Sequence, residues 1–245
     1  MVAIPPMSAL APRLDPSLLR LVLVTDGQGE LARIEAVVAA AIDGGVRCVQ
    51  LREAKWSARQ LMLACERLMP LLERVGGILL VNDRLDLAVA RMAHGAQIGY
   101  RSLPPEVARE VLGTHSLLGY SAHDQGELDL AVAGGCDFAL LSPVWPTTSK
   151  PGMPHLGEVR AAHLTTKARL PVVWLGGIDV VNAARIALLP ALGRPVGIGV
   201  RSALMTADDP RGAAAALLRA FSGDPVGAQE TPTDRVNVET EPEHG

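Results

Sequence analysis

Residues 48–84 read CVQLREAKWSARQLMLACERLMPLLERVGGILLVNDR, and this stretch decides the fold. It opens on a short β-rich apolar run, 48–52, that ends in the polar pair Arg52-Glu53. An amphipathic stretch follows at 58–74, with apolar residues at helical spacing. Gly76-Gly77 stands where that helix should end, a position that tolerates a left-handed residue. A second apolar run, 78–82, then leads into Asp83-Arg84. Apolar runs this short and this continuous suit parallel strands buried on both faces.

The same unit recurs in both directions. Strands are expected at 21–25, 48–52, 78–82, 96–99, 117–121, 138–142, 172–175 and 196–200. Helical patterns lie at 31–43, 58–74, 86–92, 105–112, 127–133, 180–189 and 210–221, and further glycine pairs mark joints at Gly44-Gly45 and Gly134-Gly135. A chain of 245 residues with eight such strands predicts an α/β fold, a single (β/α)8 barrel. An open doubly wound sheet would need a Gly-rich dinucleotide turn, and the chain has no GxGxxG. The expected organisation is an N-terminal extension over 1–20, the barrel over 21–222, and a disordered acidic tail over 223–245.

Composition narrows the function. The net charge of −3 is uneven: residues 223–245 hold six acids and one base, so the rest of the chain stands at about +2. No basic field for nucleic acid or membrane follows, and only 3% of residues are aromatic, too few for base-stacking platforms. Cys48, Cys65 and Cys136 are far apart with no CxxC, which reads as buried thiols in a reducing compartment. Pro5, Pro6, Pro12 and Pro16 interrupt the N-terminus, which lacks the pattern of a signal peptide, and no run of 18 apolar residues occurs. The expectation is a cytoplasmic protein that binds neither membrane nor nucleic acid.

Barrel active sites lie at the C-terminal ends of the strands. Those ends carry Asp26, Gln50, Arg52, Asn82, Asp83, Ser102, Ser121, His123, a loop from Thr147 to Lys150, Gly176-Gly177 and Arg201-Ser202. Gly176-Gly177 and Arg201-Ser202 occupy the usual phosphate position of barrels, where bare backbone lets N–H groups approach an anion; tight turns without a ligand are the alternative. The hydroxyl-rich loop Thr147-Thr148-Ser149-Lys150 either wraps phosphate oxygens or is a solvated surface loop. Gln50 and Arg52 alternate along one strand and share a face, so Arg52 needs a partner: Glu53, another internal acid, or a phosphate. Asp83 beside Asn82 suits a hard cation or an N-cap. His123 could move protons near neutral pH or be structural. His94, His115, His155 and His163 show no paired spacing and take no role.

The ordered set Leu23-Val24-Thr25-Asp26, Gly44-Gly45-Val46, Val49-Gln50-Leu51-Arg52-Glu53, Val81-Asn82-Asp83-Arg84, Ser121-Ala122-His123, Ser142-Pro143-Val144-Trp145-Pro146-Thr147 and Gly176-Gly177-Ile178 resembles the thiamine phosphate synthase superfamily, which includes the TenI-like thiazole tautomerases. The resemblance spans about residues 20–222 and implies condensation of hydroxymethylpyrimidine diphosphate with thiazole phosphate, releasing diphosphate. It implies that Gln50, Arg52, Asn82 and Lys150 hold the diphosphate with Thr147 and Ser149 alongside. It also implies that Asp83 binds Mg²⁺, and that the turns at Gly176-Gly177 and Arg201-Ser202 hold the thiazole phosphate. Arg52, Lys150 and His123 are the expected catalytic residues, and Ser121 is an expected substrate contact.

Three departures stand out. Ala54 replaces a family lysine, with Lys55 one place late. Ser102 replaces the aspartate that is the family's second magnesium ligand, which weakens the expected Mg²⁺ site, while the neighbouring Arg101 offers a charge for diphosphate. Pro143 stands where the tautomerase carries a histidine. The alternatives to the synthase are therefore a TenI-like thiazole tautomerase acting on a thiazole phosphate carboxylate and a non-catalytic thiazole-phosphate-binding barrel.

Overall fold

The fold is taken from a computed structural model, which describes residues 14–147 and 154–224. Eight parallel strands close on themselves in chain order: β1 (Leu21–Val24), β2 (Cys48–Leu51), β3 (Ile78–Asn82), β4 (Gly95–Ile98), β5 (Leu117–Ala122), β6 (Phe138–Leu141), β7 (Val172–Leu175) and β8 (Gly197–Val200). The ring is shut by β1 against β8, with Leu21 opposite Ile198 and Leu23 opposite Val200. The predicted barrel is present, and each predicted strand lies within one residue of the observed one.

Helices cover the outside: α1 (Leu31–Asp43), α2 (Ala58–Glu73), α3 (Leu85–Val89), α4 (Pro105–Leu112), α5 (Gln125–Ala133), α6 (Glu158–Lys167), α7 (Val180–Ala187), α8 (Ser202–Met205) and α9 (Pro210–Ser222). The α2 helix shows why the pattern was readable. Ser57 and Gln60 form a reciprocal capping box, and Leu61, Ala64, Cys65, Leu68 and Leu72 face the sheet. The pattern at 86–92 shrinks to α3 because Arg91 adopts a left-handed φ of 60°, which ends the turn. Two helices escaped the sequence reading. In α6 only Ala161 and Leu164 are buried, too thin a stripe to register, and α8 has four residues. Among the described residues no helix is long and apolar enough to cross a membrane.

Side chains alternate between two cores. Leu21, Leu23, Val49, Leu51, Leu79, Val81 and Trp174 pack outward under the helices. Val22, Val24, Cys48, Ile78, Leu80, Leu117, Phe138, Leu140 and Val173 fill the barrel itself. The floor is sealed by Leu19, fully buried at the end of a 3₁₀ turn (Pro16–Leu19). Its backbone carbonyl lies where a Cβ at Gly197 would sit, so that interior position of β8 admits no side chain. With the lower barrel apolar and filled, polar groups are left to the opposite end.

Candidate active site

At the end of β2, Gln50 is buried and its Nε2 donates to Oδ1 of Asn82 on β3 at 2.9 Å. Asn82 passes the interaction on, its Nδ2 donating to Oδ2 of Asp83 at 2.6 Å. Asp83 sits in the left-handed region at φ 59°, a conformation that aspartate tolerates better than most residues and that often marks functional sites. Its other carboxylate oxygen accepts from the hydroxyl of Ser102, whose Oγ in turn accepts the Gly99 N–H at 2.9 Å. A relay of hydrogen bonds thus starts in the barrel interior and ends on an exposed, fixed carboxylate. The N-cap role considered for Asp83 does not hold: Arg84 occupies the cap of α3, with no side-chain capping bond.

Arg52 is half-buried. Its backbone N–H donates to Thr25 Oγ1 at 2.8 Å, and among the described residues its guanidinium has no hydrogen bond or ion pair. Glu53 does not satisfy it. The Glu53 carboxylate, buried with the residue 4% exposed, instead accepts the N–H of Gly27 at 3.1 Å and of Gly29 at 3.2 Å.

Farther round the rim, Gln97 Nε2 donates to Ser121 Oγ at 3.0 Å. His123 Nδ1 lies 2.8 Å from Glu127 Oε2, which also accepts the His123 backbone N–H at 2.6 Å. Glu127 therefore holds the ring in place, and Tyr100 meets it edge-on at 6.5 Å with Arg101 stacked over the tyrosine at 5.5 Å. Thr147 is described at the end of the segment after β6, whereas Ser149 and Lys150 lie outside the described residues.

Gly176 and Gly177 have φ of 98° and 66°. Both are closely packed: an added Cβ would come 2.8 Å from Pro143 Cα at the first and 2.5 Å from the Pro146 carbonyl at the second. Each glycine is thus required by its own fold neighbours, so bulk at Gly177 disturbs packing as well as ligand approach. β7 pairs with β8, which brings these turns beside Arg201 and Ser202 at the start of α8. Among the described residues the amides of Gly177 and Ile178 donate to no backbone carbonyl. Ser202 and Ala203 contribute the orphan N–H groups of a helix start.

The three thiols take no part. Burial raises Cys65 and Cys136 to about 12 and Cys48 higher still, so none is ionised at neutral pH. Among the described residues no three His, Cys, Asp or Glu side chains cluster as metal ligands. Gln97 is absent from the residues singled out in the sequence, where its signal is a lone polar residue in an apolar strand. Glu53 stands there only as a possible partner for Arg52, with no hint of its glycine partners.

The thiamine monophosphate synthase family model matches residues 21–197. A thiamine-phosphate synthase of Mycobacterium tuberculosis is 39% identical over 215 residues, covering 83% of this chain and 95% of that protein. One from Laribacter hongkongensis is 39% identical over 191 residues, covering 78% of this chain and 88% of its own length. Among solved structures, the thiamine phosphate pyrophosphorylase from Pyrococcus furiosus superposes with a TM-score of 0.74 at 28% identity, covering 84% of this chain and 96% of that one.

Proposed function

The chain belongs to the thiamine monophosphate synthase family, and we propose from that premise how its barrel mouth carries out the reaction. It is a transferase of thiamine biosynthesis acting on small phosphorylated substrates. The pyrimidine diphosphate loses diphosphate, the thiazole nitrogen takes its place on the pyrimidine methylene carbon, and thiamine phosphate results. The tautomerase and non-catalytic alternatives are not favoured, since the relatives at this identity are synthases by name.

As the C–O bond breaks, its electron pair leaves with the diphosphate and positive charge gathers on the pyrimidine. The residues therefore have mainly one task, to stabilise negative charge on the leaving group. The observation that carries the assignment is Arg52: a half-buried guanidinium at a strand end, beside an acid that is bonded elsewhere. Gln50 and Asn82 are locked to each other and orient the rim beside it. Lys150, Thr147 and Ser149 complete the diphosphate site from the loop after β6. The backbone amides at Gly176-Gly177 and Ser202, with Arg201, receive the thiazole phosphate on the far side. Ser121 contacts the pyrimidine substrate, and His123, anchored by Glu127, lines the same wall.

Asp83 fits Mg²⁺ in one specific way. Asp83 is exposed and each of its carboxylate oxygens accepts one hydrogen bond, which leaves further acceptor capacity on both, and Mg²⁺ is commonly held by one or two carboxylates plus substrate phosphates. Magnesium, when bound there, would neutralise part of the charge on the diphosphate. Ser102, a hydroxyl that orients Asp83, supplies no second carboxylate. Activity should accordingly require high Mg²⁺, and Ser102→Asp should lower that requirement. The test is to incubate the purified protein with both substrates over a Mg²⁺ series and follow thiamine phosphate and diphosphate. Tight thiazole phosphate binding with no product at any Mg²⁺ concentration would refute the assignment.

A further inference from the structure

We propose that Glu53 is a positioning residue for this condensation: its buried carboxylate clamps the loop after β1 at the rim of the barrel mouth and leaves the adjacent Arg52 to the diphosphate. The proposal rests on the assignment of Arg52 to the leaving group. A buried carboxylate must be neutralised or hydrogen-bonded, and the nearest cation in sequence is Arg52. The structure does otherwise. The two Glu53 oxygens take one N–H each, from Gly27 and Gly29, both held at φ 77°. Charge-assisted bonds to backbone amides are strong for their kind, so the carboxylate is satisfied without drawing on the guanidinium.

The clamped loop is anchored on its other side as well. Asp26 Oδ1 accepts from Gln28 N–H at 3.1 Å and pairs with Arg33 Nη2 at 2.6 Å. Arg33 Nη1 then donates to the Met205 carbonyl of α8 at 2.9 Å. β1 lies between β2 and β8, so the loop runs as a strut from the Arg52 side of the mouth to the helix that follows β8. Those are the two sides on which the diphosphate and the thiazole phosphate are placed. Loosening the strut disturbs the mutual alignment of the reactants more than the grip on either one, so it should cost turnover rather than affinity.

The test uses the full chain with Glu53→Gln and Glu53→Ala. Glutamine keeps the volume but turns an NH₂ toward one of two N–H donors. Without substrate, hydrogen exchange at the Gly27 and Gly29 amides should quicken by about tenfold or more. With substrates, kcat should fall by about tenfold or more. Affinity for inorganic diphosphate with Mg²⁺, read by calorimetry, should stay within about threefold of the parent. Unchanged exchange at the two glycines, or quickened exchange with kcat intact, overturns the proposal. Failure of the Arg52 assignment shows separately, as inorganic diphosphate affinity that Arg52→Gln does not alter. Should the Glu53 variants not fold, Asp26→Asn releases the other anchor, and the same fall in kcat with diphosphate affinity kept is expected; an unchanged kcat there overturns the strut.

Discussion

Two arginines of this barrel should respond to the same substitution in opposite ways. Arg109 makes four hydrogen bonds, to the carbonyls of Gly135 at 3.0 Å, Gly113 at 2.7 Å and Ser116 at 2.8 Å, and to Asp137 Oδ2 at 2.7 Å. Arg52 makes none through its guanidinium among the described residues. Arg109→Gln removes the pairing of Asp137 and leaves carbonyls unsatisfied. With the site part-open to water, the cost should be about 3 kcal/mol, or roughly 6–12 °C in melting temperature for a domain of this size. Arg52→Gln removes no side-chain bond to any described residue, so stability should move by less than about 0.5 kcal/mol, within roughly 2 °C. Turnover should behave the other way. Removing one charge aimed at a developing anion costs about 10²–10³ in kcat, equivalent to roughly 2.7–4 kcal/mol of the barrier. The assay is thermal melting alongside steady-state diphosphate release at saturating Mg²⁺. A melting loss for Arg52→Gln equal to that of Arg109→Gln, or a kcat within threefold of the parent, would refute the reasoning.

On the role proposed for Lys150 at the departing diphosphate, Lys150→Ala should lower turnover more than it weakens thiazole phosphate binding; equal losses in kcat and in thiazole affinity would count against it. Gly177→Ala places a Cβ 2.5 Å from the Pro146 carbonyl at φ 66°, so the melting temperature should drop by several degrees even without ligand, and an unchanged melt would show that the turn yields. Burial holds His94 below the usual imidazole range, and its Nδ1 accepts the Leu79 N–H, so the folded state keeps it neutral while the unfolded chain protonates first. Its contribution to stability is therefore whole above about pH 6.5 and lost as the pH falls below that; His94→Asn, which keeps an acceptor, should flatten the acid limb of a denaturation series. Removing residues 225–245 should leave the melting temperature within about 1 °C, and a loss of several degrees would assign that segment a share in the fold.

The strands were legible because burial on both faces writes an unbroken apolar run, and the polar residue at the end of each run marked the mouth. Gln50, Asn82 and Asp83 were found that way. Glu53 was found only as a neighbour of Arg52, because its partners are backbone amides 24 and 26 residues away, and a backbone donor leaves no trace in residue type. Arg52 shows the same limit from the other side. Its residue type calls for an anionic partner, whereas the acid next to it is bonded to the amides of Gly27 and Gly29. The α6 helix was missed for a different reason, since two buried residues in ten do not make a periodic stripe.

The seam between β1 and β8 has a consequence for how the chain is made. Leu21 lies against Ile198, and the Leu19 carbonyl abuts Gly197, so the first strand to be synthesised waits for the last. Until then one edge of β1 has no neighbour, and the floor has nothing to rest on. Contacts of such sequence separation form late and slowly. A growing chain stalled short of β8 would display an open strand of Leu, Val, Leu and Val, the kind of edge on which other chains pair. Ring closure, and not any single helix, is then the step at which the nascent protein ceases to be a hazard to its neighbours.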